Sequence, residues 1–343
     1  MSKYTTYQPC KRPGGIGNIM SLVLNCVRYA IAAGASITLP LIEKRGQDLT
    51  ALKNGVQEPM SYFFDDAFFR GVMALNCPQM TVLEDISQIR EFGNAHVTDS
   101  LRPSELHADN GRLDMHTSEF QHALSGWLNF EPSLHHPAII RLSLGLFEWP
   151  ISEESVEFYA TFGKLLRFRE DVHQLANDIL RTIQRQSSDN GRFLGAHLRT
   201  EADIKGLWID YNDQRDAYFA KALSMTFKTI YLASGDLIDS ARLKTEAAKR
   251  NIKVLTKRDL LSRANLRKLT SMTWDQQGLV DYLVLKNSTF FMGSSPSSFA
   301  FALAYSRHLN IADESYPFPE DSLSKIIGED VNFFRDGMWP VQG

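Results

Sequence analysis

Residues 4–42 read YTTYQPCKRPGGIGNIMSLVLNCVRYAIAAGASITLPLI. Tyr4–Gln8 alternates as a short strand does, and Pro9 with Pro13-Gly14-Gly15 turns the chain. Ile16, Ile19, Met20, Val23, Leu24, Val27, Ala30 and Ile31 then fall on one face of a helix. Gly34 suits the position just past its end, and Ala35–Ile42 has the apolar, β-branched character of an inner strand. Strand, glycine turn, helix and strand make one βαβ unit, which predicts a parallel α/β sheet. Arg28 interrupts the apolar run and Gly34 divides it, so it reads as core helix and buried strand and not as a membrane span.

The same rhythm returns in the second half. Strands are expected at Phe193–Leu198, Thr229–Ala233, Ile252–Leu255 and Thr289–Met292, with helices after Gly235-Asp236, near Trp274–Lys286 and from Ser297. Between the halves, Ser152 with Glu153 and Glu154 reads as the start of a long helix that runs to Gln186 and joins them. Residues from Lys44 to Ser152 are mixed. The aromatic cluster Tyr62-Phe63-Phe64 with Phe68-Phe69 reads as core, and the polar stretch Asp99–Ser118 as a loop. A length of 343 residues suits two lobes. The division expected is 1–187 for a first Rossmann-like lobe, 188–310 for a second, and 311–343 for a tail anchored on the first lobe by Phe333, Phe334 and Trp339.

With 37 Lys and Arg against 40 Asp and Glu, and no long basic run, the chain lacks the footprint of a nucleic-acid binder. Cys10, Cys26 and Cys77 are too few and scattered for a disulfide framework or a zinc site. No targeting signal is visible, which reads as cytoplasmic, or as the secretory lumen if a signal or anchor has been removed.

Ligands of parallel sheets lie at the carboxyl ends of the strands, and three such ends carry unusual residues. At Gly14-Gly15-Ile16-Gly17-Asn18, glycines let a phosphate or sugar approach the backbone at a helix N-terminus; a tight turn before a packed helix needs the same residues. A dinucleotide fingerprint would want a third glycine at Met20 and an acid closing Ala35–Leu41, so a nicotinamide oxidoreductase is disfavoured. In His197-Leu198-Arg199-Thr200-Glu201-Ala202-Asp203, Arg199 suits a diphosphate, while Glu201 and Asp203 either orient it or supply a base. An ordinary salt-bridge loop would carry the same letters. Gly293-Ser294-Ser295-Pro296-Ser297-Ser298-Phe299 offers hydroxyls and helix amides to a phosphate, or simple capping. Asp281 could accept hydrogen bonds from a guanine edge, or be a solvated helix charge.

Together GGIGN at 14–18, HLRTEAD at 197–203 and LVDYLVLKNSTFFMGSSPSSFAFALAYSRH at 279–308 resemble, in order and spacing, the signature regions of the GDP-fucose protein O-fucosyltransferases and related GT-B enzymes. The resemblance covers about a third of the chain in pattern. It implies two Rossmann-like lobes facing across a cleft, 1–187 on the acceptor side and 188–310 binding the donor, and metal-independent, inverting transfer of fucose or a related 6-deoxyhexose from a GDP-sugar to a hydroxyl of a protein or small molecule. No cofactor is implied beyond the GDP-sugar as co-substrate. Asn18 would lie at the sugar, Arg199 at the diphosphate, Ser297, Ser298 and Phe299 at the nucleotide and Asp281 at guanine; Gly15, Gly17 and His197 complete the donor site. Many members carry arginine where this chain has Gly15, which implies a donor-phosphate contact that is missing or supplied elsewhere. A silent GDP-sugar-binding protein would keep the same residues.

Overall fold

The glycine turn, helix and strand of the opening stretch form, in the computed structural model, as β1 (Thr5–Gln8), α1 (Ile16–Ala33) and β2 (Ser36–Thr38). The structure describes residues 5–8, 14–45, 56–103, 106, 118–143, 149–151, 154–187, 189–308, 323–328 and 338–343. The first half continues with a small antiparallel ribbon of β3 (Ile42–Glu43) and β4 (Gln57–Glu58), then α2 (Asp66–Asn76), β5 (Val82–Leu83), β6 (His96–Leu101), α3 (Ser118–Leu128), β7 (Ala138–Leu142), α4 (Val156–Phe162) and α5 (Glu170–Gln186). The second half runs β8 (Leu194–His197), α6 (Tyr211–Ser224), β9 (Thr229–Ala233), α7 (Leu237–Ala248), β10 (Lys253–Leu255), α8 (Lys257–Leu260), α9 (Arg263–Ser271), α10 (Trp274–Lys286), β11 (Phe290–Ser294), α11 (Ser298–His308) and β12 (Ser324–Ile327).

Two five-stranded parallel sheets result, ordered β5-β2-β1-β7-β6 and β10-β9-β8-β11-β12. This is the α/β, GT-B arrangement of two Rossmann-like lobes. In each sheet the strand order reverses beside the lobe's first strand, between β1 and β7 and between β8 and β11. Such switch points open a crevice at the strands' carboxyl ends. The glycine turn follows β1, the HLRTEAD loop follows β8 and the serine run follows β11, so the topology delivers all three segments to crevices.

By length and composition α1 could cross a membrane, but 83% of it is buried within the fold. Its one interior charge is answered there: Arg28 Nε holds Glu154 at 2.6 Å and its guanidinium lies 4.1 Å from the centre of the Trp149 ring. Gly34 closes the helix at φ 63°, the left-handed conformation that glycine takes without penalty. The core is lined by the expected aromatics, with Phe63, Phe64 and Phe69 fully buried.

Three expectations are corrected. The strand Ala35–Ile42 stops at Thr38, because Pro40 has no N–H for a ladder, and Ile42 pairs instead in the β3–β4 ribbon. The long helix to Gln186 is two helices. Ser155 caps α4, and the chain then runs extended through Leu166–Phe168, where Asp65 N–H donates to the Arg167 carbonyl and Arg169 N–H to that of Phe63. Burial of Leu166 and Phe168 beside the aromatic cluster outweighs the local helical preference. The tail also does not keep to the first lobe. Ser324–Ile327 is the edge strand of the second sheet, and among the described tail residues it is the last ones that return, with Trp339 donating to Asn25 Oδ1 of α1 at 2.7 Å and packing on Phe162 of α4. Phe333 and Phe334 lie outside the described residues, as does much of the polar stretch, although Asp99–Leu101 belongs to β6 and Ser118 opens α3.

Candidate active site

All three segments line one cavity of about 710 Å³ between the two lobes: Gly14, Gly15, Gly17 and Asn18 from the head of α1, His197, Arg199, Glu201, Ala202 and Asp203 from the end of β8, and Ser297, Ser298 and Phe299 at the head of α11. Every residue that the resemblance placed at the donor site, Arg199 and Asp281 included, is in its lining, whereas Gly293, Ser294 and Ser295 are not. The heads of α1 and α11 meet at Gly17. A Cβ there would sit 2.4 Å from the Ser298 carbonyl carbon and 2.5 Å from the Phe299 nitrogen, so any side chain would force the two helices apart. At Gly15 an added Cβ would meet nothing within 4 Å. Of these two glycines, Gly17 is therefore the one demanded by packing.

Around Arg199 the charges form a closed set. Its Nη1 holds Glu201 Oε2 at 2.5 Å and its Nη2 holds Asp203 Oδ2 at 2.6 Å. The Gly235 N–H also donates to Glu201 Oε1 at 2.7 Å. The side chain of Gln214, on α6, clamps the Arg199 backbone from both sides, accepting from its N–H at 3.0 Å and donating to its carbonyl at 2.9 Å. Burial works against the Arg199 charge, but the two carboxylates outweigh it and raise its pKa. Burial likewise opposes ionisation of Asp203, yet Arg199 and Arg45 together hold its carboxyl below the usual range. Asp203 is thus a fixed anion and a weak base, and Glu201 is committed to the fork and to Gly235.

His197 is buried beside Arg199, and burial first, then the neighbouring charge, push its pKa down to about 3. Its neutral ring lies 4.5 Å from that of Phe299. The run after β11 is capped by Ser297, whose hydroxyl accepts from the Ala300 N–H at 3.4 Å. Asp281 is no solvated charge. It is buried, accepts from the Tyr231 hydroxyl at 2.7 Å, and pairs with Lys257, so an incoming base edge would meet a Lys–Asp pair and not a lone acid.

The sequence reading missed Arg45, Trp208, Lys257, Arg258 and Trp274, which line the same cavity. Lys257-Arg258 stands one residue beyond the end of β10, where the strand-end rule that found Arg199 applies equally. Arg45 ends the charged run Glu43-Lys44-Arg45 after the apolar text of the first lobe. Among the described residues, no group of three or more His, Cys, Asp or Glu is placed to hold a metal ion.

The chain matches the model of the GDP-fucose protein O-fucosyltransferase family over residues 4–310. Among solved structures it is similar to POFUT1 in complex with GDP-fucose, with a TM-score of 0.54 at 13% identity over 96% of this chain and 99% of that one. A POFUT1 structure in complex with GDP gives 0.55 at 12% identity over 94% and 98%. The fucosyltransferase NodZ from Bradyrhizobium gives 0.48 at 12% identity over 87% and 92%. No curated protein matches in sequence.

Proposed function

Since this chain belongs to the GDP-fucose protein O-fucosyltransferase family, and is thereby a GDP-sugar-dependent glycosyltransferase, we propose that it moves fucose from GDP-fucose to an acceptor hydroxyl with inversion and without a metal ion. The observation that carries this reading is the meeting of Arg199, the head of α11 and the glycine turn in one interlobe cavity.

In the reaction the acceptor oxygen bonds to the anomeric carbon, the bond from that carbon to the β-phosphate oxygen breaks, GDP departs and the hydroxyl proton is released. Positive charge develops on the sugar and negative charge on the diphosphate. Arg199, held in place by Glu201, Asp203 and Gln214, meets the leaving group without having to reorganise, and the amides and hydroxyls of Ser297 and Ser298 add further donors. We assign Glu201 and Asp203 to orienting that guanidinium and not to accepting the proton. Asn18 faces the sugar from the first lobe, whose side of the cleft takes the acceptor, and His197 with Phe299 forms a neutral surface for the nucleotide.

The test is thermal. GDP raises the melting temperature, because a ligand of the native state stabilises it by mass action, whereas UDP, ADP and NAD do much less. GDP release from GDP-fucose persists in EDTA. Equal shifts with UDP, or loss of turnover in EDTA with rescue by manganese, would refute the donor site drawn here.

A further inference from the structure

The cavity holds a second guanidinium built like the first. Arg45 reaches in from the first lobe just after β3, and its side chain is only 6% exposed. Its Nη2 holds Asp203 Oδ2 at 3.2 Å, the same oxygen that Arg199 Nη2 holds at 2.6 Å. Each guanidinium also lies against a tryptophan of the lining, Arg199 5.6 Å from the centre of Trp208 and Arg45 5.5 Å from that of Trp274. The backbone of Arg45 is fixed from across the cleft. Its N–H donates to Asp275 Oδ2 at 3.3 Å, and Asp275 is held in turn by the Tyr62 hydroxyl at 2.8 Å.

Arg45 and Arg199 thus stand side by side in the cavity as two largely buried guanidiniums, each fixed on the Asp203 carboxylate between them before an anion arrives. A diphosphate offers two adjacent anionic groups, each matched to one planar fork of donors. We propose that Arg45 is a second diphosphate-binding residue, supplied by the first lobe, which holds one phosphate of the donor while Arg199 holds the other. The inference rests on the GDP-sugar reading above. It makes the donor a ligand of both lobes, so that the leaving-group site is complete only when Arg45 and Arg199 face each other across Asp203.

The test compares ligands that differ in phosphate number, by calorimetry on the whole chain. In wild type, GDP binds more tightly than guanosine. In Arg45→Ala the GDP affinity falls at least tenfold while guanosine affinity is unchanged, and Arg45→Lys recovers part of the loss, because a point charge replaces the fork incompletely. A merely structural Arg45 would weaken GDP and guanosine in parallel, or neither, and either result overturns the proposal. Should Arg45→Ala fail to fold, the same GDP-to-guanosine ratio is read in Arg45→Lys, where an undiminished ratio counts against it. Wild type that binds no GDP refutes the functional reading as well; wild type that binds GDP, with an Arg45→Ala variant that binds it equally, refutes Arg45 alone.

Discussion

The wall of the cavity that the second lobe provides carries its charges in sets: Arg199 with Glu201 and Asp203, and Lys257 with Asp281. The wall that the first lobe provides is mostly backbone, with Gly14, Gly15 and Gly17 heading α1 beside Asn18, and Arg45 is the cation it contributes to the lining. The two differ because they meet different demands. A departing diphosphate needs donors fixed before it arrives, and buried charges can be fixed only by partners. A wall that must approach a sugar, and touch the opposite lobe at Ser298, needs the absence of side chains.

The largest effect should come from breaking the charged wall at its centre. Arg199→Ala removes a donor whose contact strengthens as the glycosidic bond breaks, so the loss falls on kcat, by about two to three decades, or about 3–4 kcal/mol. Arg199→Lys should recover only part. Steady-state kinetics decide, after a ligand-free melting curve has shown that the fold survives, since Glu201 and Asp203 lose their shared partner. A folded Arg199→Ala with wild-type kcat would reduce the loop to a salt-bridge knot.

The glycine wall predicts a contrast within itself. Gly17→Ala drives a methyl group into backbone atoms of α11 and should destabilise the chain by about 3 kcal/mol, the upper end of ordinary overpacking. Gly15→Ala enters open space at an extended φ of −72° and should stay within about 1 kcal/mol. Urea unfolding of the two variants side by side checks this. If both are neutral, the two helix heads do not meet as described.

The same contrast decided what could be read in advance. The central second-lobe strands β8, β9 and β11 are buried along their whole length and so appear as apolar runs, which is why Thr229–Ala233 falls where the pattern puts it. In the first lobe β5 is only two residues long and β6, HVTDSL, is mainly exposed and polar, so neither stands out from loop text. All the site residues named from the sequence line the cavity, because strand-end position and unusual charge mark them. Arg45 and the tie between Lys257 and Asp281 were not legible. The first depends on a ribbon that brings a short charged run to the cleft, and the second on two elements 24 residues apart.

Asp281→Asn sharpens the comparison at the nucleobase. Replacing a charged acceptor should cost roughly 2 kcal/mol of GDP affinity, about thirtyfold, while the much weaker binding of UDP stays where it is. The quantity to measure is the ratio of the two dissociation constants. Parallel losses would show that the Tyr231–Asp281–Lys257 chain is scaffolding and reads no base.

His197 is the exception on the charged wall, an ionisable group with no carboxylate of its own beside a guanidinium, and its Nδ1 has no hydrogen-bond partner among the described residues. With a folded pKa near 3 it is neutral wherever the enzyme works, so no limb of the pH–rate profile near pH 6–7 should belong to it. Its mark falls on stability instead. Above the ordinary imidazole pKa of about 6.5 neither folded nor unfolded His197 holds a proton, and the group contributes nothing to the pH dependence. Below that value the unfolded chain gains a proton that the folded chain refuses, so stability falls steadily until pH approaches the folded pKa. At pH 5.5 the loss should be about 1.4 kcal/mol. To isolate His197 from the rest of the chain, the test is the difference between wild type and His197→Gln, each unfolded in urea at pH 7.5 and pH 5.5. The wild type should lose more than the variant by that amount. Equal losses would mean that His197 takes up its proton in the folded state, and that the wall beside Arg199 tolerates one more positive charge than its geometry permits.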